Sequence, residues 1–202
     1  MRISAGTTAG VIGAVAVVVV LVAGCNGNAK QPAASSSSPT SAASSAPASG
    51  SAQPQSGDYA KLLIKPTDIE APMTFTASPP VANPDGKPGA AVTFSGPENS
   101  RVITDTILVF DDPAGATSAL DAAKAGLGDV VKGTPKPVDV GTGGTTVDGN
   151  SPDKSKGKTV LLFTEGRAFV TLEFDAPPDL FPPPEFVTQL GQKQATAIKN
   201  GL

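Results

Sequence analysis

The 202-residue chain contains no histidine, no tryptophan, one tyrosine and one cysteine. Without histidine, every Ser-His or Cys-His nucleophile system is excluded, and so is any histidine-based zinc site. One cysteine rules out an internal disulfide and any site built from several thiolates. Nucleic-acid binding is disfavoured as well, because stacking rings are scarce, no basic stripe is present and the formal net charge is -3. A Ser-Lys pair or a carboxylate pair would still permit hydrolysis, yet no Ser-x-x-Lys stands at a helix start. The chain is read as non-enzymatic, with no cofactor and no metal.

Charge is also missing at the front. Arg2 is the one charged residue before the apolar run Val11-Ile12-Gly13-Ala14-Val15-Ala16-Val17-Val18-Val19-Val20-Leu21-Val22. That run is short for a permanent span and matches the apolar core of an export signal. It ends in Val22-Ala23-Gly24-Cys25, with a branched aliphatic at minus three, small residues at minus two and minus one, and cysteine at plus one. These four residues resemble the bacterial lipobox. The resemblance implies a diacylglycerol on the Cys25 thiol, cleavage between Gly24 and Cys25, and acylation of the new amino group. A single acyl chain anchors only marginally, at about 0.8 kcal/mol per buried methylene, so stable attachment takes two or three chains, a requirement that a triacylated Cys25 meets.

From residue 26 to residue 57 the composition turns to Ser, Ala, Pro, Gln and Gly, as in Ser35-Ser36-Ser37-Ser38-Pro39-Thr40. Nothing there can offset the entropy of ordering, so the stretch is read as a disordered tether. As a flexible coil its root-mean-square reach is about 30 Å. Residues 1–24 are therefore a signal peptide, 25–57 the lipidated cysteine and tether, and 58–202 a single domain. All of the acidic residues lie in that domain. The wealth of Ala, Gly, Pro and Val beside a Ser-rich tether suggests an actinobacterial source.

Within the domain, Met73 to Ala77 and Ala91 to Ser95 are predicted short strands separated by the turn-rich Asn83-Pro84-Asp85-Gly86-Lys87-Pro88-Gly89. A longer strand runs from Arg101 to Phe110. Asp112 is then a good N-cap and Pro113 a good first helical residue. Ala116, Leu120, Ala123 and Leu127 give this helix one buried face, with Gly126 and Gly128 expected to stop it. Strand residues are also expected at Val138 to Val140 and at Thr145 to Asp148. Capping accounts for the Asp111-Asp112 pair better than metal or acid/base chemistry does. Gly157-Lys158-Thr159 resembles the end of a phosphate-binding loop, but the required earlier glycine is Pro152 and the segment leads into a strand. Asp148, Asn150 and Asp153 have the wrong spacing for a calcium loop and are read as an exposed turn.

The clearest signal is a hairpin from Thr159 to Phe174, with Glu165-Gly166 as its two-residue turn. That register sets Phe163 opposite Ala168 and Leu161 opposite Val170 on a core face. The other face carries Leu162 and Phe169 and is unusually apolar. Either another element covers it, or it is an exposed apolar patch available to a ligand or partner. After the stiff connector Ala176 to Pro184, a C-terminal helix is predicted from about Glu185 to Asn200. Gln194 falls within its apolar stripe of Val187, Leu190, Ile198 and Gly201. Its amide either bonds a nearby backbone group or lines a polar spot in a cleft.

The opening Tyr59-Ala60-Lys61-Leu62-Leu63-Ile64-Lys65-Pro66-Thr67-Asp68-Ile69 resembles that of a group of mycobacterial exported lipoproteins, and that of the extracellular sensor domain of a mycobacterial serine/threonine kinase. The resemblance covers about a dozen residues and implies a sheet covered by two helices. It departs in that the sensor domain is braced by disulfides, so its ligand-binding cleft is not carried over. The fold class expected is antiparallel α+β, five or six strands carrying two helices. The function expected is a non-catalytic binding or scaffolding domain, lipid-anchored on the extracytoplasmic face of the cell membrane, whose partner is an envelope protein or lipid. The alternative is a carrier of lipids or glycolipids with an apolar cavity. Cys25→Ala should leave the protein as unprocessed precursor by intact mass. Normal cleavage with retained membrane attachment would contradict the lipobox.

Overall fold

The computed structural model describes residues 58–202; Cys25, the lipobox and the tether lie outside the described residues. Eight strands form one antiparallel sheet: β1 (Thr76–Ala77), β2 (Val81–Ala82), β3 (Gly89–Ser95), β4 (Val102–Val109), β5 (Lys136–Pro137), β6 (Thr142–Asn150), β7 (Gly157–Glu165) and β8 (Ala168–Ala176). Their order is β1-β3-β4-β8-β7-β6-β5, with β2 also paired to β3. Two helices, α1 (Pro113–Val130) and α2 (Pro184–Gly201), complete the α+β fold. Five strands are long and three are two-residue edge pieces, which is why the total exceeds the five or six expected. Among the described residues no helix is long and apolar enough to cross a membrane.

Alternation in the long strands decides which side of the sheet each helix covers. Phe94, Ile103, Ile107, Leu161, Phe163, Val170, Leu172 and Phe174 share one face and pack with Val187, Leu190 and Ile198 of α2. Val160, Leu162 and Phe169 share the other and pack with Ala116, Leu120 and Leu127 of α1. The β7–β8 hairpin is therefore buried from both sides. Leu162 and Phe169 are 2% and 7% exposed, so the open-patch alternative gives way to cover by α1. Beyond the reach of α1 the same face is half-buried and polar, carrying Thr93, Thr104, Thr106, Thr171 and Glu173.

Four elements differ from expectation. The hairpin turn is Gly166-Arg167, not Glu165-Gly166, and the register pairs Phe163 with Val170 and Leu161 with Leu172. Gly166 takes the left-handed φ of +56° that this turn needs at its first position. Because the pairing shifts by two residues, each side chain keeps its face. The expected strand at Val138 to Val140 is instead irregular, its place taken by β5 at Lys136–Pro137. The first expected strand is reduced to Thr76–Ala77.

The fourth concerns α1, which begins as expected: Asp112 accepts the Gly115 N–H at 2.8 Å and Pro113 follows. It does not stop at Gly126 or Gly128. Burial of Leu127 and Val131 against β6 and β7 outweighs the penalty of about 1 kcal/mol that each glycine carries in a helix. A methyl at Gly126 would meet no atom within 4 Å, whereas one at Gly191 of α2 would lie 2.5 Å from Leu161 Cδ2 and 2.9 Å from Val140 Cγ1. Gly126→Ala should therefore raise stability by about 0.5–1 kcal/mol. Gly191→Ala should lower it by about 1–3 kcal/mol. Chemical denaturation of the two variants checks both signs.

Candidate functional site

Before β1 the chain lies over the α2 side of the sheet as a strap with two 3-10 turns, Asp58–Leu62 and Pro66–Asp68. Its Tyr59, Leu62, Leu63, Ile64 and Ile69 are buried in the larger core. Gln194, fully buried on α2, holds it there. The Ile64 N–H donates to Gln194 Oε1 at 3.0 Å, and Gln194 Nε2 donates to the Leu62 carbonyl at 2.7 Å. The backbone-bonding role expected for this amide is the one observed, and Gln194 lines no cleft. Farther along, Lys193 Nζ donates to the Asp68 carbonyl at 2.8 Å and to Glu70 at 2.7 Å.

With the strap fixed, its end from Glu70 to Phe75, Arg101 before β4, the connector from Phe181 to Pro183 and the first turns of α2 enclose an apolar groove of about 400 Å³. Three phenylalanines shape it. Phe75 is buried, Phe186 is half-buried and stacks edge-to-face on Phe174 at 6.0 Å, and Phe181 is 40% exposed. Pro182, Pro183 and Pro184 fix the backbone beside Phe181 and limit the entropy it loses on meeting a ligand. A broader depression of about 520 Å³ adjoins it, lined by Asp68, Glu70, Gln192, Lys193, Thr196 and Asn200 among others. It has no aromatic anchor, and its Lys193 and Glu70 already satisfy one another. The smaller groove is the better site, since recognition pockets are mostly apolar with a few polar groups.

Neither the groove nor its aromatics stood out in the sequence. Phe75, Phe181 and Phe186 lie in three separate segments and share no periodicity. The other residues weighed for chemistry are satisfied locally. Asp148 accepts from Thr159 Oγ1 at 2.8 Å, and Asn150 donates to Asp179 at 2.7 Å. Hydrogen bonds from Ser151 and Ser155 hold the Asp153 carboxyl down to about 2. Lys158 bridges Glu173 and Asp175, each at 2.7 Å. Among the described residues no three His, Cys, Asp or Glu side chains are grouped to hold a metal ion.

No family model and no curated protein matches the chain. Among solved structures, the extracellular domain of PknH from Mycobacterium tuberculosis has a similar fold. The TM-score is 0.56 at 9% identity, over 72% of this chain and 96% of that one. This agrees with the architecture that the Leu62-Leu63, Pro66 and Asp68-Ile69 opening implied.

One buried group escaped notice. Asp105 of β4 is wholly buried in the α2-side core between Val92 of β3 and Leu172 of β8, and neither carboxyl oxygen has a hydrogen-bond partner. Its parity with Ile103 and Ile107 was the available signal. Burial pushes its pKa from 3.8 up to about 8, with the Ile64 N–H alone pulling the other way. The folded state thus keeps a proton that the unfolded chain releases. This stabilisation is full below about pH 3.8 and is lost as pH rises toward 8. Stability should fall by up to about 1.4 kcal/mol per pH unit between those limits. Asp105→Asn should flatten the slope, and denaturant titrations at pH 5, 6 and 7 read it directly.

Proposed function

We propose that the domain is a non-catalytic binding module, lipid-anchored through Cys25 on the extracytoplasmic face of the membrane, whose groove at Phe75, Phe181 and Phe186 seats an apolar part of an envelope protein or lipid. The observation that carries this reading is Phe181, a large apolar side chain left substantially in water on a proline-stiffened connector and beside two further phenylalanines. Such a side chain destabilises nothing by being covered, and burying it contributes about 1.5–3 kcal/mol to a partner. The lipobox and the Ser-rich tether support the placement. The fold shared with an extracellular domain of a kinase supports an exported, non-enzymatic role.

The same groove supports the carrier reading to one extent: about 400 Å³ falls within the usual range for small-molecule sites. It lies between strap, connector and α2 at the edge of the larger core cluster, sharing Phe75 with it, and opens to solvent beside the exposed Phe181, which favours surface recognition over enclosure.

Phe181→Ser separates binding from folding, because the side chain contributes little to the core. The neutral fluorophore N-phenyl-1-naphthylamine should bind the wild-type protein saturably. The variant should unfold at nearly the same temperature and bind about tenfold or more weakly. Equal affinity in the two proteins would place the site elsewhere.

A further inference from the structure

The strap differs from everything it covers in how it is attached. It joins no strand ladder before Thr76, and is held by the Gln194 amide, by Lys193 and by its own apolar side chains. Beneath it lies the unpartnered carboxyl of Asp105, next to the Ile64 N–H, which is already given to Gln194. No cation answers that carboxyl among the described residues. The residues of β3 on this face, Ala90, Val92 and Phe94, do not titrate, nor do Val170, Leu172 and Phe174 of β8. From α2 the neighbour is Gln194, with its amide engaged at both ends, while Lys193 is bound to Asp68 and Glu70. From the strap, Tyr59 brings a buried hydroxyl that also lacks a partner, and Lys61 and Lys65 are exposed.

We propose that the strap is a releasable unit gated by one proton on Asp105. It stays docked over the neutral carboxyl, and its opening, which hydrates the carboxylate, becomes easier as pH rises. The sheet cannot relieve a buried charge at this point without breaking the β3–β4–β8 ladders. The strap relieves it by breaking none. In the open state Asp105 returns to an ordinary carboxylate pKa, so the opening equilibrium grows about tenfold per pH unit until the folded form itself ionises. Because the strap also carries Glu70 to Phe75, release removes one wall of the groove. That last consequence rests on the binding reading above, whereas the release itself does not.

Native-state hydrogen exchange of the full-length protein, corrected for intrinsic rates, tests the release without any ligand. The hydrogen-bonded amides of Leu63, Ile64 and Ile69 should exchange well ahead of those in β7 and β8. Their protection should fall about tenfold per pH unit between pH 5 and 7, and the dependence should vanish in Asp105→Asn. Exchange of these amides in step with β7 and β8 would overturn the proposal, as would the same pH dependence in Asp105→Asn. Gln194→Ala retains the carboxyl and tests the same unit should Asp105→Asn not fold. It should lower strap protection at least tenfold at every pH while keeping the slope, and unchanged protection would contradict the inference. An empty groove would count against the binding reading and leave this readout intact.

Discussion

One side-chain amide, that of Gln194, decides where the strap lies and therefore where the groove is. Its oxygen and nitrogen are both engaged with the strap backbone inside the core, so neither bears the desolvation penalty of a buried polar group left alone. The buried apolar side chains of the strap, at about 1.5–3 kcal/mol each, supply far more attraction than two hydrogen bonds at about 1 kcal/mol each. Attraction of that kind is not directional, however. The amide sets the register in which Leu62 and Ile64 come to rest, and with it the path of the chain to Phe75.

The sheet beneath is built to be rigid at its centre. The β7–β8 hairpin is covered on both faces, and β4 adds a full-length ladder beside it. Against this background Asp105 is an exception: a carboxyl in an apolar row whose occupancy by a proton is part of what keeps that core closed. Mobility is thereby confined to the covering layer, where opening disrupts side-chain packing and a few hydrogen bonds but no ladder.

Much of this architecture was legible in the sequence because it rests on local pattern. The period-two runs of β4, β7 and β8 located the central strands, and Asp112-Pro113 located the start of α1. The hairpin turn was misplaced by one residue because Glu165 and Gly166 satisfy turn chemistry as well as Gly166 and Arg167 do, and pairing alone distinguishes them. The end of α1 was misjudged for a different reason. Two glycines weaken a helix, but Leu127 between them and Val131 after them are buried, and tertiary contact overrides propensity. Gln194 was recognisable as an anomaly in an apolar stripe, although its strap partners lie about 130 residues away. Asp105 carried a similar mark in its strand. The groove carried none, since its phenylalanines are assembled only by the fold.

A closed double-faced core, a strap pinned by one amide and an aromatic groove at their junction are the features on which the proposed binding role rests. The most direct measurement is native mass spectrometry of the protein purified from its own envelope. A bound lipid or polypeptide, distinct from the acyl groups proposed at Cys25, is expected, and it should leave when N-phenyl-1-naphthylamine is added. A polypeptide carrying nothing but its own acyl chains would contradict it.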